Sequence, residues 1–135
     1  MGMIVIVGES RAETLLDGFS VIKAPSCDII DCGGAAVILG AHARAEIRAA
    51  LGVIVDGDEP ADDLPRFVQL ISCGISPKNT VSVTSRTPEK ITLSLNRSIR
   101  THSGVCEPLE LPVPAAAGVS EYDLMAAFAV ELLLK

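Results

Sequence analysis

A chain of 135 residues is long enough to bury one core without disulfides or metals. At 49% apolar but only 3% aromatic residues, that core must be built from Val, Ile, Leu and Ala. The net charge of −6 excludes the basic face that nucleic acid needs, and the longest apolar stretches, Ala35 to Ala41 and Leu124 to Leu134, fall short of the ~20 residues of a membrane-spanning helix.

Met3 to Val7 is an unbroken, largely β-branched run closed by Gly8, the pattern of a buried strand. Ser10-Arg11-Ala12-Glu13 reads as a capping box, opening a short helix that Gly18 stops. Phe19 to Ala24 is a second strand, ended by Pro25. Cys27 to Cys32 is another apolar stretch, broken by Gly33-Gly34, and Ala35 to Leu39 is a strand in its own right. Over 42–51 the spacing turns helical: Ala43, Ile47, Ala50 and Leu51 share one side, and Arg44, Glu46 and Arg48 take the others. Val53 to Val55 begins the next strand. The acidic loop Asp56 to Asp63 leads to a short helix through Leu64, Phe67 and Val68, then to a strand over Leu70 to Ile75 and the turn Ser76-Pro77-Lys78-Asn79.

Up to residue 79 strand and helix alternate, which implies a mainly parallel sheet. From residue 80 the pattern changes. Thr80 to Thr87, Ile91 to Arg100 and Cys106 to Val113 alternate apolar and polar residues, and the short joins Pro88-Glu89 and Ser103-Gly104 imply antiparallel pairing. A proline-containing approach leads to a final helix, with Ser120 and Asp123 as its capping box and Leu124, Phe128 and Leu132 as its stripe. The expected fold is α/β: one domain over 1–135, a three-layer Rossmann-like mainly parallel sheet extended by C-terminal antiparallel strands.

Residues from Val53 onward carry a family resemblance. Val53-Ile54-Val55-Asp56-Gly57-Asp58-Glu59-Pro60, Ile71-Ser72-Cys73-Gly74-Ile75, Leu109 to Pro114 and Leu124-Met125-Ala126-Ala127 follow each other as do matching segments of the middle, ATP-binding domain of the Mur ligases. The chain resembles that domain over about residues 53–135. The resemblance implies a truncated version of that fold. It does not extend to the phosphate loop: the chain has no Gly-Lys pair, and its glycine turn Gly8-Glu9-Ser10-Arg11 puts an acid where phosphate would approach. Where the family's His-Asn-x-x-Asn stretch lies at the nucleotide, this chain has Val119, Ser120 and Asp123. The expectation is therefore a non-catalytic derivative with no cofactor.

Two candidate sites stand out. Asp31, Gly33 and Gly34 form a tight turn that would admit a small ligand at a strand end, although a conformational glycine turn is the plain alternative. Asp56, Asp58 and Asp62 offer hard oxygen ligands for a divalent cation, although their spacing is not that of an EF-hand and a solvated loop accounts for them equally. His102 and Cys106 are near in sequence, but no orienting acid accompanies them. Arg86, Arg97 and Arg100 would line one wet strand face as a basic stripe. The four cysteines read as small buried thiols in a reducing cytosol, with no signal peptide ahead of Met3.

The positive mean hydropathy points to apolar surface covered by a second copy of the chain. The functional expectation is thus a homodimeric binding or regulatory module. The alternatives are a small-molecule sensor or small enzyme using the Asp31–Gly34 crevice, and an accessory subunit of a larger complex.

Overall fold

The computed structural model describes residues 2–40, 43–58, 68–115 and 117–135. Strand β1 (Met3–Val7) buries both of its faces: Ile4 and Ile6 join one apolar cluster, Val5 and Val7 the other. Two-sided burial is why it reads as a continuous apolar run rather than an alternation. The same division holds in β4 (Ala36–Leu39) and β6 (Gly52–Asp56).

These strands belong to one sheet with β2 (Ser20–Ala24), β7 (Leu70–Cys73), β8 (Val81–Arg86), β9 (Lys90–Leu95) and β12 (Leu109–Pro114). The order is β12-β9-β8-β7-β6-β4-β1-β2. Every neighbouring pair from β2 to β8 is parallel, and the β8-β9-β12 end is antiparallel. The sheet is stepped. Val81, the first residue of β8, pairs with Cys73, the last of β7, and that is the whole of their register. The antiparallel strands therefore continue beyond the carboxyl edge of the parallel ones.

Helix α1 (Glu121–Leu134) covers one face of the sheet, and a parallel ribbon of β3 (Ile29–Asp31) and β5 (Glu46–Ala49) covers the other, with Ile30 buried beneath it. A hairpin of β10 (Ile99–Thr101) and β11 (Gly104–Cys106) closes over the carboxyl end of α1. There the His102 N–H donates to the Leu133 carbonyl at 2.8 Å, and the Ser103 hydroxyl to that of Lys135 at 2.8 Å. This cover explains why α1 is buried nearly all round, from Asp123 to Val130, rather than along one stripe.

The expected three-layer Rossmann-like α/β architecture, in the form of a truncated Mur-ligase middle domain, is overturned. Among the described residues 44% are in strands against 15% in helical turns, with mostly parallel strands in a solenoid-like succession and one C-terminal α-helix. The crossovers account for the difference. The helix expected after Ser10 is a single 3₁₀ turn, Ala12–Leu15, with Arg11 rather than Ser10 at its N-cap; Ser10 Oγ accepts from the Ala12 N–H and gives its proton to Asp123. The helix expected over 42–51 gives way to β5, which pairs with β3. The helix expected through Leu64 and Phe67 lies outside the described residues. The two long C-terminal strands are each split. Asn96 leaves the ladder to bond the Asn79 carbonyl and Ser82 hydroxyl, both at 2.9 Å, and Pro108 separates β11 from β12.

Candidate functional site

Because β1 lies between β2 and β4, the chain leaves it first to one side and later returns to the other. The loop after β1 begins at Gly8, whose φ of 84° is open to glycine at little cost. The loop is packed directly against the turn that follows β4: a Cβ on Gly40 would collide with the Glu9 backbone. Gly8 N–H donates to the Ala24 carbonyl at 2.9 Å, tying the loop to the end of β2 as well.

The first turn of α1 holds the loop from the side. The Ser10 hydroxyl donates to Asp123 Oδ1 at 2.7 Å, and the Arg11 N–H to Oδ2 at 3.2 Å. Ser10 Oγ also accepts from the Ala12 N–H at 3.2 Å. Both Ser10 and Asp123 are buried. Asp123 is thus an anchor for the loop, while its own N–H is capped by the Ser120 hydroxyl at 3.1 Å. The neighbouring residues fix α1 to the sheet. Tyr122 donates to the Leu39 carbonyl at 2.6 Å, with the Ile54 carbonyl 3.3 Å away. Arg86, at the end of β8, grips Glu121 as a fork, Nε to Oε2 at 2.5 Å and Nη2 to Oε1 at 2.8 Å. That fork holds the Glu121 carboxyl below its usual range, against the smaller opposing effect of partial burial. Burial, reinforced by nearby negative groups, pushes the Tyr122 phenol and the Cys73 thiol far above theirs, so neither ionises near neutrality.

Beyond the loop lies a cleft of about 540 Å³, bounded by residues 8–11 and 23–25 at the carboxyl ends of β1 and β2. Its volume is that of a small-ligand pocket. Two cations line it. Lys23 is brought there by register, since it pairs with Ile6 one step below the end of β1. Its ammonium donates to the Ser10 carbonyl at 2.7 Å and to Glu13 Oε1 at 2.8 Å. Burial of Glu13 opposes its ionisation, but Lys23, its own N–H and the charge of Arg11 together hold its carboxyl below the usual range. Arg11 donates at 3.4 Å to the Gly118 carbonyl and, among the described residues, has no carboxylate partner.

The residues singled out from the sequence fall elsewhere. Asp31, Gly33 and Gly34 are exposed at the amino end of β4, the opposite edge of the large sheet from this cleft. Neither glycine has positive φ, and a Cβ on either would meet open space. Asp56 and Asp58 are occupied by the protein itself. Asp56 Oδ1 accepts from the Asp58 N–H at 3.0 Å, while Asp58 accepts from the Ile75 N–H at 2.8 Å and from the Asn79 amide at 3.2 Å. Asp62 lies outside the described residues, as does His42. Among the described residues no group of three or more His, Cys, Asp or Glu side chains is placed to hold a metal ion.

His102 sits at the tip of the β10–β11 turn, whereas Cys106 lies opposite Ile99 at the far end of that hairpin. The basic stripe does not form either. Arg86 is committed to Glu121, Arg97 donates to the Lys78 carbonyl, and Arg100 lies on β10. No helix among the described residues is long and apolar enough to cross a membrane.

Comparison with protein-family models, curated proteins and solved structures finds no match. The geometry of the cleft therefore carries the functional reading. Sequence reasoning met Gly8-Glu9-Ser10-Arg11 and set it aside as a phosphate loop. Lys23 gave no local signal, because only the parallel register of β1 and β2 brings it to the same place.

Proposed function

We propose that the protein is a non-catalytic binding module that takes a small anionic ligand in the cleft beyond β1 and β2. The observation that carries this is Arg11, a residue of the lining of a cleft of about 540 Å³ whose guanidinium makes no ion pair with a carboxylate among the described residues. In a chain of net charge −6, such a guanidinium is a local attractor for anions. The supporting loop is already fixed by buried Asp123, so little ordering cost accompanies binding. The module reading suits Ser10, whose hydroxyl already donates to Asp123 and accepts from Ala12. The four free thiols are compatible with residence in a reducing cytosol.

Thermal denaturation in the presence of small carboxylates, inorganic phosphate and magnesium-ATP tests this reading. A ligand that binds the native state raises the melting temperature, and the rise is expected to vanish in Arg11→Gln. Failure of every anion to shift the wild-type protein would remove the proposal.

A second reading, self-association as a homodimer, is favoured by the outer margin of the sheet. Leu109 and Leu111 on β12 are 36% and 47% exposed.

A further inference from the structure

Strand β2 is the outermost strand at the parallel end of the large sheet. The Ser20 N–H donates to the Gly2 carbonyl at 3.2 Å, and the Ala24 carbonyl accepts from the Gly8 N–H at 2.9 Å. Bonding direction alternates along a strand, so Ser20, Ile22 and Ala24 turn their backbone groups toward β1, and the N–H and C=O of Val21 and Lys23 face outward. Among the described residues no backbone partner meets those outward groups.

Native proteins blunt such an edge with proline or an outward-reaching lysine. The opposite edge has Pro112 and Pro114 on β12, whereas Ser20–Ala24 holds no proline. Its one lysine is turned back, with the ammonium on the Ser10 carbonyl and on Glu13. Ile22 is 53% exposed between the two outward-bonding residues. The strand is also its own complement. Antiparallel pairing about a twofold axis at Ile22 sets Val21 against Lys23 as hydrogen-bonded pairs, Ile22 against Ile22, and Ser20 against Ala24. No like charges then stand opposite each other. The axis uses the same edge of both copies, so the pairing closes at a dimer.

We propose that β2 pairs edge to edge with β2 of a second copy, through backbone hydrogen bonds at Val21 and Lys23 and an Ile22–Ile22 contact, joining the two large sheets into one. The contact is separate from side-chain packing on the β12 margin, at the other end of the sheet. It is small, so it fills well above micromolar concentration.

The test is residue-resolved amide hydrogen exchange on the full chain at about 10 µM and about 1 mM, which bracket a contact of this size. The Val21 and Lys23 amides are expected to exchange about tenfold more slowly at the higher concentration, as follows when about nine-tenths of the chains are paired. Ile22→Glu and Ile22→Lys each put like charges across the axis and should lose the slowing, and an equimolar mixture should regain it with Glu opposite Lys. Leu111→Glu should leave it in place. Exchange at Val21 and Lys23 that is independent of concentration in the wild-type chain would overturn the proposal, whatever the variants do, and leave the edge to a different polypeptide. Slowing that survives both Ile22 substitutions, or that is lost in Leu111→Glu, would overturn it in favour of another contact. A mixture no slower than its components would overturn the twofold register and the pairing with it.

Discussion

Asp123 stands in the first turn of α1, where the helix dipole favours a negative charge. It accepts from both the Ser10 hydroxyl and the Arg11 N–H in a buried setting. Replacement by alanine leaves both donors without a partner, and Asp123→Ala is expected to cost about 3 kcal/mol, measured by urea denaturation. Asp123→Asn, which keeps one acceptor oxygen, should lose about half as much. The pairing itself was not legible in the sequence. Ser10, Ser120 and Asp123 each carried a local capping signal, and the Ser120–Asp123 half proved right. Ser10 still accepts from the nearby Ala12 N–H, but its proton goes to a partner more than a hundred positions away, a tie that a three-residue motif cannot register.

At the scale of elements, the strands were readable and the crossovers were not. A strand buried on both faces has one composition open to it, an apolar run, and Met3–Val7 shows it plainly. The segment around β5 is different. Residues Ala43 to Arg48 alternate half-buried and exposed into and along the strand, yet Ala43 and Ile47 also fall on one side of a helix with Ala50 and Leu51. Propensity favours the helix for Ala, Arg and Glu. The need of β3 for a hydrogen-bonding neighbour favours the strand, and it wins. The cleft depends on how such connections meet. Gly40 is the contact between the turns after β4 and β1, and a methyl group there has backbone against it. Gly40→Ala is expected to destabilise the protein by about 1–3 kcal/mol, read as a lowered midpoint in a chemical melt followed by circular dichroism.

For the molecule as a whole, the high apolar content is largely accounted for by a sheet with cover on both faces. What remains outside includes Leu109 and Leu111 on the edge strand β12 and Val105 on the hairpin before it. Pro112 and Pro114 lie on that same edge and lack the donors that strand-to-strand addition requires. A second copy is therefore expected to pack its side chains on this margin rather than extend the ladder. On that reading the wild-type chain sediments as a dimer at micromolar concentration and Leu111→Glu as a monomer. A wild-type monomer across the concentration range would end the self-association reading. The expected Rossmann-like α/β fold was read from the order of strand types. The structure departs from it in the connections, where short stretches of mixed apolar and polar residues leave local structure weakly determined.

The meeting of β7 and β8 at one residue pair has a mechanical side. Within each half of the sheet, stiffness comes from several rungs acting together; across the seam, one rung and the Ser72–Thr80 hydrogen bonds beside it transmit it. Slow breathing is expected to pivot at Cys73 and Val81, with the Arg86–Glu121 fork and the buried helix as tethers, and amide hydrogen exchange that is no faster there than in the rest of the sheet would count against it.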